Sequence, residues 1–280
     1  MCAGAISETA EKTWLEDIPE IRSANCWRCG KATPRGYVFC AQCTPRYGET
    51  VLLRTAEDHP GKAIFVGSIP LLRVVLERIR GRRVVKWWMG TDALTMWMCP
   101  PGMSRWKVLA HQWKMRLLER FIDEHWVTGR RLLEDLRRAH GISPTKVAVV
   151  YWPGKYQEPI PLQTHQAFNA VYYDPGGGRF KRWVYGMDVI EALKERFPQV
   201  NWIRLDGSQD LRQVLPLADV YVRPSRHDGA PRIVEECRIS GVPVIFSEGQ
   251  EPDVDKIAKE LEALLRSKEA GGRAAGPRSQ

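Results

Sequence analysis

Two groups of residues have the types and spacing to do chemistry. Cys26, Cys29, Cys40 and Cys43 fall in "CWRCGKATPRGYVFCAQC", two Cys-x-x-Cys pairs with ten residues between them. Each pair presents two thiolates to one metal, and Gly30 supplies the tight backbone after the first. The spacing predicts a structural zinc site. A redox motif needs a single pair in a βαβ setting, and a disulfide framework fits poorly with a chain read as intracellular. Cys2, Cys99 and Cys237 lie outside the set.

The second group is "PSRHDGAPRIVEECRISGVPVI", residues 224–245. A strand ending at "DVYVRPS" delivers Arg223, Ser225 and Arg226 to the edge where open α/β sheets bind ligands. Asp228, Gly229 and Ala230 form the loop, and Pro231 suits the first turn of a helix. Gly229 lets backbone approach a ligand, and the amino end of the helix attracts an anion. Arg232 and Glu236, four apart, share one helical face. A diphosphate at the helix start and a ribose diol on the glutamate fit this layout.

Positioning such a loop takes a sheet, and the periodicity provides two. Strand patterns at 62–68, 83–90, 124–129 and 146–152 alternate with helical ones at 69–81, 104–122 and 130–141. The proline-rich stretch 152–165 reads as a linker, after which the alternation restarts. Strands at 168–175, 200–207, 219–225 and 242–247 alternate with helices at 186–199, 210–218 and 231–240. The fold class is therefore α/β with parallel sheets. The expected divisions are a lead-in over 1–24, a zinc element over 25–48, Rossmann-like domains over 49–155 and 156–266, and a disordered tail over 267–280.

"HDGAPRIVEECRISGVPVI" closely resembles the nucleotide-sugar motif of group 1, GT-B-type, retaining glycosyltransferases. That family has an acidic residue eight positions before a glutamate, and Gly-x-Pro five beyond it. Asp228, Glu236, Gly241 and Pro243 keep those spacings. The resemblance covers roughly residues 62–248 and excludes the cysteine element. It implies two Rossmann-like domains facing a cleft, with an acceptor side first and a donor side second. Glu236 would bind the ribose, and Gly229 and Ala230 would lie against the phosphates or sugar, with Arg223 and Arg232 also in the donor site. Asp228 would stand at the reacting centre. Arg179, Lys181 and Arg182, after "YYDPGGG", would neutralise the leaving diphosphate. The family's lysine before Gly-x-Asp is Tyr185 here. The resemblance also implies a UDP- or GDP-sugar co-substrate and no catalytic metal. In the first domain Gly90, Thr91 and Asp92 match a loop facing the transferred sugar, while Asp92 reads equally as a helix cap for 93–98. His227, beside Asp228, is either a contact to donor or acceptor, or a surface or core histidine.

Composition bears on the acceptor. Forty-two basic against 33 acidic residues leave an excess of +9. Residues 71–86 concentrate it, with Arg73, Arg78, Arg80, Arg82, Arg83 and Lys86 against Glu77 alone. Residues 104–116 mix cations with tryptophan. Basic segments interleaved with aromatics suit DNA, so the first expectation is transfer to a hydroxymethylated pyrimidine, as phage-type enzymes do. The alternative is a lipid-linked or cell-surface glycan at an anionic inner membrane. A third is a zinc-knuckle nucleic-acid-binding protein with an inactive transferase half. No apolar run reaches eighteen residues and the N-terminus lacks a signal core, which predicts a cytoplasmic protein, phage-encoded if the DNA reading holds.

Overall fold

Runs such as "KAIFV" combine β-branched and aromatic residues and are buried throughout, the signature of strands covered on both faces. The computed structural model describes residues 18–274 apart from 47, 54–60, 68–69, 91, 93–103, 131, 134–135, 137–145, 230 and 248–250. The chain divides into two compact units, Met1–Lys155 and Tyr156–Gln280.

The first unit holds β1 (Thr50–Leu53), β2 (Lys62–Val66), β3 (Arg83–Trp88), β4 (Glu124–Val127) and β5 (Val147–Val149), side by side in that order. β2 to β5 are parallel, and β1 is antiparallel to β2. Periodicity assigns no strand to residues 50–53, because four residues are too few to display alternation. Helices α1 (Leu71–Ile79) and α2 (Arg105–Glu119) make the crossovers. Both pack one face of the sheet, where Val74, Met115 and Leu118 meet Phe65, Val84, Trp88 and Val127. The expected helix at 130–141 falls mostly outside the described residues.

The opposite face is covered by the cysteine segment. Val38 and Phe39 pack with Ile64, Val85, Trp87 and Trp126. Phe39 stacks on Trp87 with centroids 5.8 Å apart, and Trp27 lies 5.5 Å from Trp126. The cysteine element thus supplies the second layer that a Rossmann-like sheet ordinarily takes from helices. Residues of the lead-in hydrogen-bond along β5, through Ile21 N–H to Val149 O and Val149 N–H to Pro19 O, each 2.9 Å.

The second unit holds β6 (Asn169–Tyr173), β7 (Asn201–Leu205), β8 (Val220–Arg223) and β9 (Val244–Phe246), all parallel in the order β7-β6-β8-β9. With α3 (Arg179–Val184), α4 (Met187–Arg196), α5 (Leu211–Val214), α6 (Arg232–Ile239) and α7 (Val254–Ala274) this is a Rossmann-like half. The chain steps from β6 to β7 on one side, then returns to β8 on the other. The carboxyl ends of β6 and β8 therefore form a topological switch point, where such sheets open a ligand crevice.

One expectation changes here, and one segment gains an assignment. The glycine-rich segment before Arg179 leads into a short helix. Residues 267–274 are helical and not the irregular tail that their composition predicts. Lys268 reaches Asp219 at 2.8 Å, and Leu261 and Leu265 seat α7 on the core. The linker reading also narrows, since Tyr156 and Ile160 are buried in the second unit.

Candidate functional site

Both loops at the switch point are built by ion pairs. After β6, the buried Asp174 accepts the Gly176 N–H at 3.0 Å and the Arg182 guanidinium at 2.9 Å. Gly176 and Gly177 have φ of 65° and 87°, left-handed conformations that glycine adopts without a Cβ penalty. Arg182 also meets Glu191 at 2.7 Å, so two carboxylates hold it. Arg179 and Lys181 form no ion pair with a described residue. Of the three cations expected near the diphosphate, these two are uncommitted.

After β8, the buried Arg223 donates from Nε to Asp228 at 3.0 Å, and its Nη2 bonds the same carboxylate oxygen. The guanidinium lies over the Tyr185 ring, 4.5 Å from its centroid, and 5.3 Å from that of Tyr173. Burial works against the Arg223 charge, but Asp228 outweighs it and keeps the pKa above the ordinary arginine value. Burial also raises the Tyr185 phenol. The position the family fills with lysine thus carries an aromatic lid on an arginine arriving from the next strand.

The loop Pro224–Asp228 is clamped to α3 and α4. Arg226 N–H donates to Val184 O at 2.9 Å. Its side chain reaches Trp183 O at 2.8 Å and both Asp188 oxygens at 2.8 and 2.7 Å. The Arg226 hydrogen bonds hold the Asp188 carboxyl below its usual range. Gly186, with φ of 69°, lies so close that a Cβ there would stand 1.9 Å from the Pro224 carbonyl oxygen. Asp188 and Gly186 are the Gly-x-Asp pair of the resemblance. Their work is to seat the loop, which spacing alone does not reveal.

Glu236 is 2% exposed, and its Oε1 accepts the Tyr156 N–H at 3.0 Å. A turn earlier on α6, Arg232 stands in solvent. The two residues share a helical side without sharing an open surface. His227 is buried beside Asp228, Gly229 is half-buried, and Ala230 lies outside the described residues.

In the first unit, Asp92 accepts N–H groups from Met89 and Gly90, both at 3.0 Å, and the Lys86 ammonium at 2.6 Å. Thr91 and the stretch 93–98 that Asp92 would cap lie outside the described residues. Lys86 is buried over the Trp88 ring, 4.4 Å from its centroid. Burial pulls its pKa down, against the Asp92 carboxylate. The cations of the basic run 71–86 meet carboxylates. Arg73, Arg80 and Arg82 converge on the buried Glu77, Arg78 pairs with Asp123, and Arg83 with Glu124. Each of its six cations has a carboxylate partner, four carboxylates in all.

The Sγ atoms of Cys26, Cys29, Cys40 and Cys43 all lie within 4.8 Å of one another. Cys29 and Cys40 are 3.8 Å apart. Tetrahedral zinc with Zn–S bonds of about 2.3 Å gives a sulfur–sulfur edge of about 3.8 Å, so the set fits the ion. Burial raises the Cys26 thiol, but backbone hydrogen bonds around Cys40, Arg28 and Cys29 outweigh it and bring the pKa down to about 7.

The molecule is thus two Rossmann-like α/β units and a four-cysteine element, with a built loop pair at the second unit's switch point. No protein-family model matches the chain, and no curated protein matches its sequence. Among solved structures it is similar to TarM of S. aureus, a point mutant in complex with fondaparinux, alpha-GlcNAc-glycerol and UDP. That match has 10% identity, a TM-score of 0.48, and covers 68% of this chain and 46% of that one. The pneumococcal O-GlcNAc transferase GtfA, with UDP and GlcNAc, matches at 12% identity, TM-score 0.47, over 76% of this chain and 50% of that one. HepE of Anabaena, with UDP, matches at 11% identity, TM-score 0.45, over 70% and 76%. The chain spans about half the length of TarM and GtfA.

Proposed function

We propose that the chain is a glycosyltransferase that takes a sugar from a UDP- or GDP-sugar bound in the second unit and passes it to a hydroxyl acceptor. The observation that carries this reading is the switch point. There the Asp174-bound glycine loop, the uncommitted Arg179 and Lys181, and the Arg223–Asp228 pair flank one crevice end of the sheet. Departure of a nucleoside diphosphate builds negative charge, and fixed cations stabilise it. Asp228, held by Arg223, faces the reacting sugar, and His227 adjoins it. Glu236 takes the ribose diol by exchanging the Tyr156 N–H for a sugar hydroxyl. Retention follows the motif resemblance.

The test is release of nucleoside diphosphate from a panel of UDP- and GDP-sugars, with products read by mass spectrometry. Lys181→Ala and Arg179→Ala together should lower kcat at least about a hundredfold, the scale of losing one preorganised donor in an acyl-transfer site. Glu236→Gln keeps an acceptor for Tyr156 and should raise donor KM with the fold intact. Full activity in both variants refutes the donor assignment. The six cations of 71–86 share four carboxylates, which weakens the case for a hydroxymethylated DNA acceptor resting on that run, while the exposed Trp106, Leu109, Trp113 and Leu117 favour the membrane-bound glycan.

We also assign zinc to the four cysteines. Elemental analysis should give about one zinc per chain. Cys26→Ser with Cys40→Ser should lose it and lower the melting temperature, because the same loop carries Phe39 and Trp27 onto the first sheet. A stable, zinc-free wild-type chain would contradict the assignment.

A further inference from the structure

Helix α2 has two working faces. Val108, Met115 and Leu118 are buried inward. The outward side is a stripe of Trp106, Leu109, Trp113 and Leu117, spaced three and four apart, with Trp106 80% and Trp113 71% exposed. On a helical projection at about 100° per residue, Lys107 and Lys114 flank that stripe on one side. Arg105 and Arg116 flank it on the other, and Arg120, the residue that caps the helix, falls in line with the stripe at its end. All five are exposed, and none forms an ion pair with a described residue. The contrast with α1 is that both of its arginines have carboxylate partners, Arg73 with Glu77 and Arg78 with Asp123. Yet α1, packed on the same sheet face, adds its own outward stripe of Leu72, Leu76 and Ile79, with Leu72 73% and Ile79 76% exposed.

We propose that the outer face of α2, extended by α1, lies flat on an anionic lipid surface. Tryptophan puts a flat apolar ring and a polar N–H at the headgroup boundary, and leucines enter the acyl edge. Lysine and arginine stems run along apolar surface while their heads stay at the phosphates. A second copy of this chain fits poorly, because the face meets itself with five cations on each side and no carboxylate among them. Nucleic acid would use the cations and tryptophans but leave Leu72, Leu76, Ile79, Leu109 and Leu117 against water or phosphate. Only a surface both anionic and apolar within a few ångströms uses every group. The inference deepens the transferase reading by making the acceptor membrane-bound, and its evidence is confined to the first unit.

The experiment is co-sedimentation of the full chain, without donor, with vesicles of phosphatidylcholine alone or mixed with phosphatidylglycerol. Binding to the anionic vesicles should be at least about tenfold tighter and should weaken with salt. Trp106→Ser with Trp113→Ser should lose about tenfold or more at an unchanged melting temperature, both side chains being exposed. Lys107→Glu with Lys114→Glu should abolish the preference for phosphatidylglycerol. Equal binding to both vesicles, or full binding by the tryptophan variant, overturns the proposal. So does a dimer in solution that Trp113→Ser dissociates, or duplex DNA that displaces the chain from vesicles and binds the tryptophan variant unimpaired. A chain that docks but transfers no sugar refutes the transferase reading and leaves this one standing.

Discussion

Gly186→Ala should unseat the Pro224–Asp228 loop and destabilise the second unit by about 3 kcal/mol or more. Two costs add. Alanine at φ of 69° occupies the left-handed region, and its Cβ would fall 1.9 Å from the Pro224 carbonyl oxygen. That contact is with backbone, so no side-chain rotation relieves it. The loop can only move away, and Arg226 resists, being tied to Val184 O, Trp183 O and Asp188. Whichever yields, Arg223 and Asp228 lose their place at the end of β8. Hydrogen exchange is the measurement. Amides of β6 and β8 should lose protection while those of β3, in the other unit, keep theirs. A variant with unchanged exchange and unchanged UDP affinity would show that the close approach is not a constraint.

How far the sequence foretells this site depends on the range of each interaction. The loop itself is readable, because Asp228, Gly229 and Pro231 lie within one strand-loop-helix whose geometry is local. The cysteine pairs were readable for the same reason. Pairings across the fold were not. The run 71–86 counts as strongly basic in one dimension, yet Arg78 and Arg83 find Asp123 and Glu124 far along the chain, and Lys86 turns inward. Glu236 has the spacing of a ligand-binding carboxylate, but only the folded linker reveals the Tyr156 N–H already on it. The aromatic seat of Arg223 depends on Tyr173 and Tyr185, which come from two other segments. Residues 267–274 look irregular by composition because Lys268 gains its partner Asp219 only once α7 lies on the sheet.

That distinction carries over to Asp92, whose sequence context leaves a cap and a ligand contact equally open. The structure adds the partner that decides its energetics. Asp92→Ala should destabilise the first unit by about 3–5 kcal/mol near neutral pH, because it leaves the buried Lys86 ammonium without a counter-charge. The Met89 and Gly90 N–H groups also lose their acceptor. The pH dependence separates these causes. Burial depresses the folded pKa of Lys86 below the ordinary 10.5, and removing Asp92 depresses it further. Between the folded value and 10.5 the unfolded chain binds the extra proton, so stability rises with pH across that window. The deficit of Asp92→Ala should therefore shrink as pH climbs from neutral toward about 10, measured by urea denaturation against wild type. Lys86→Met in the same background should remove the pH dependence and recover most of the loss. A deficit independent of pH, or unrelieved by Lys86→Met, would assign the cost to the two backbone N–H groups and not to the stranded charge.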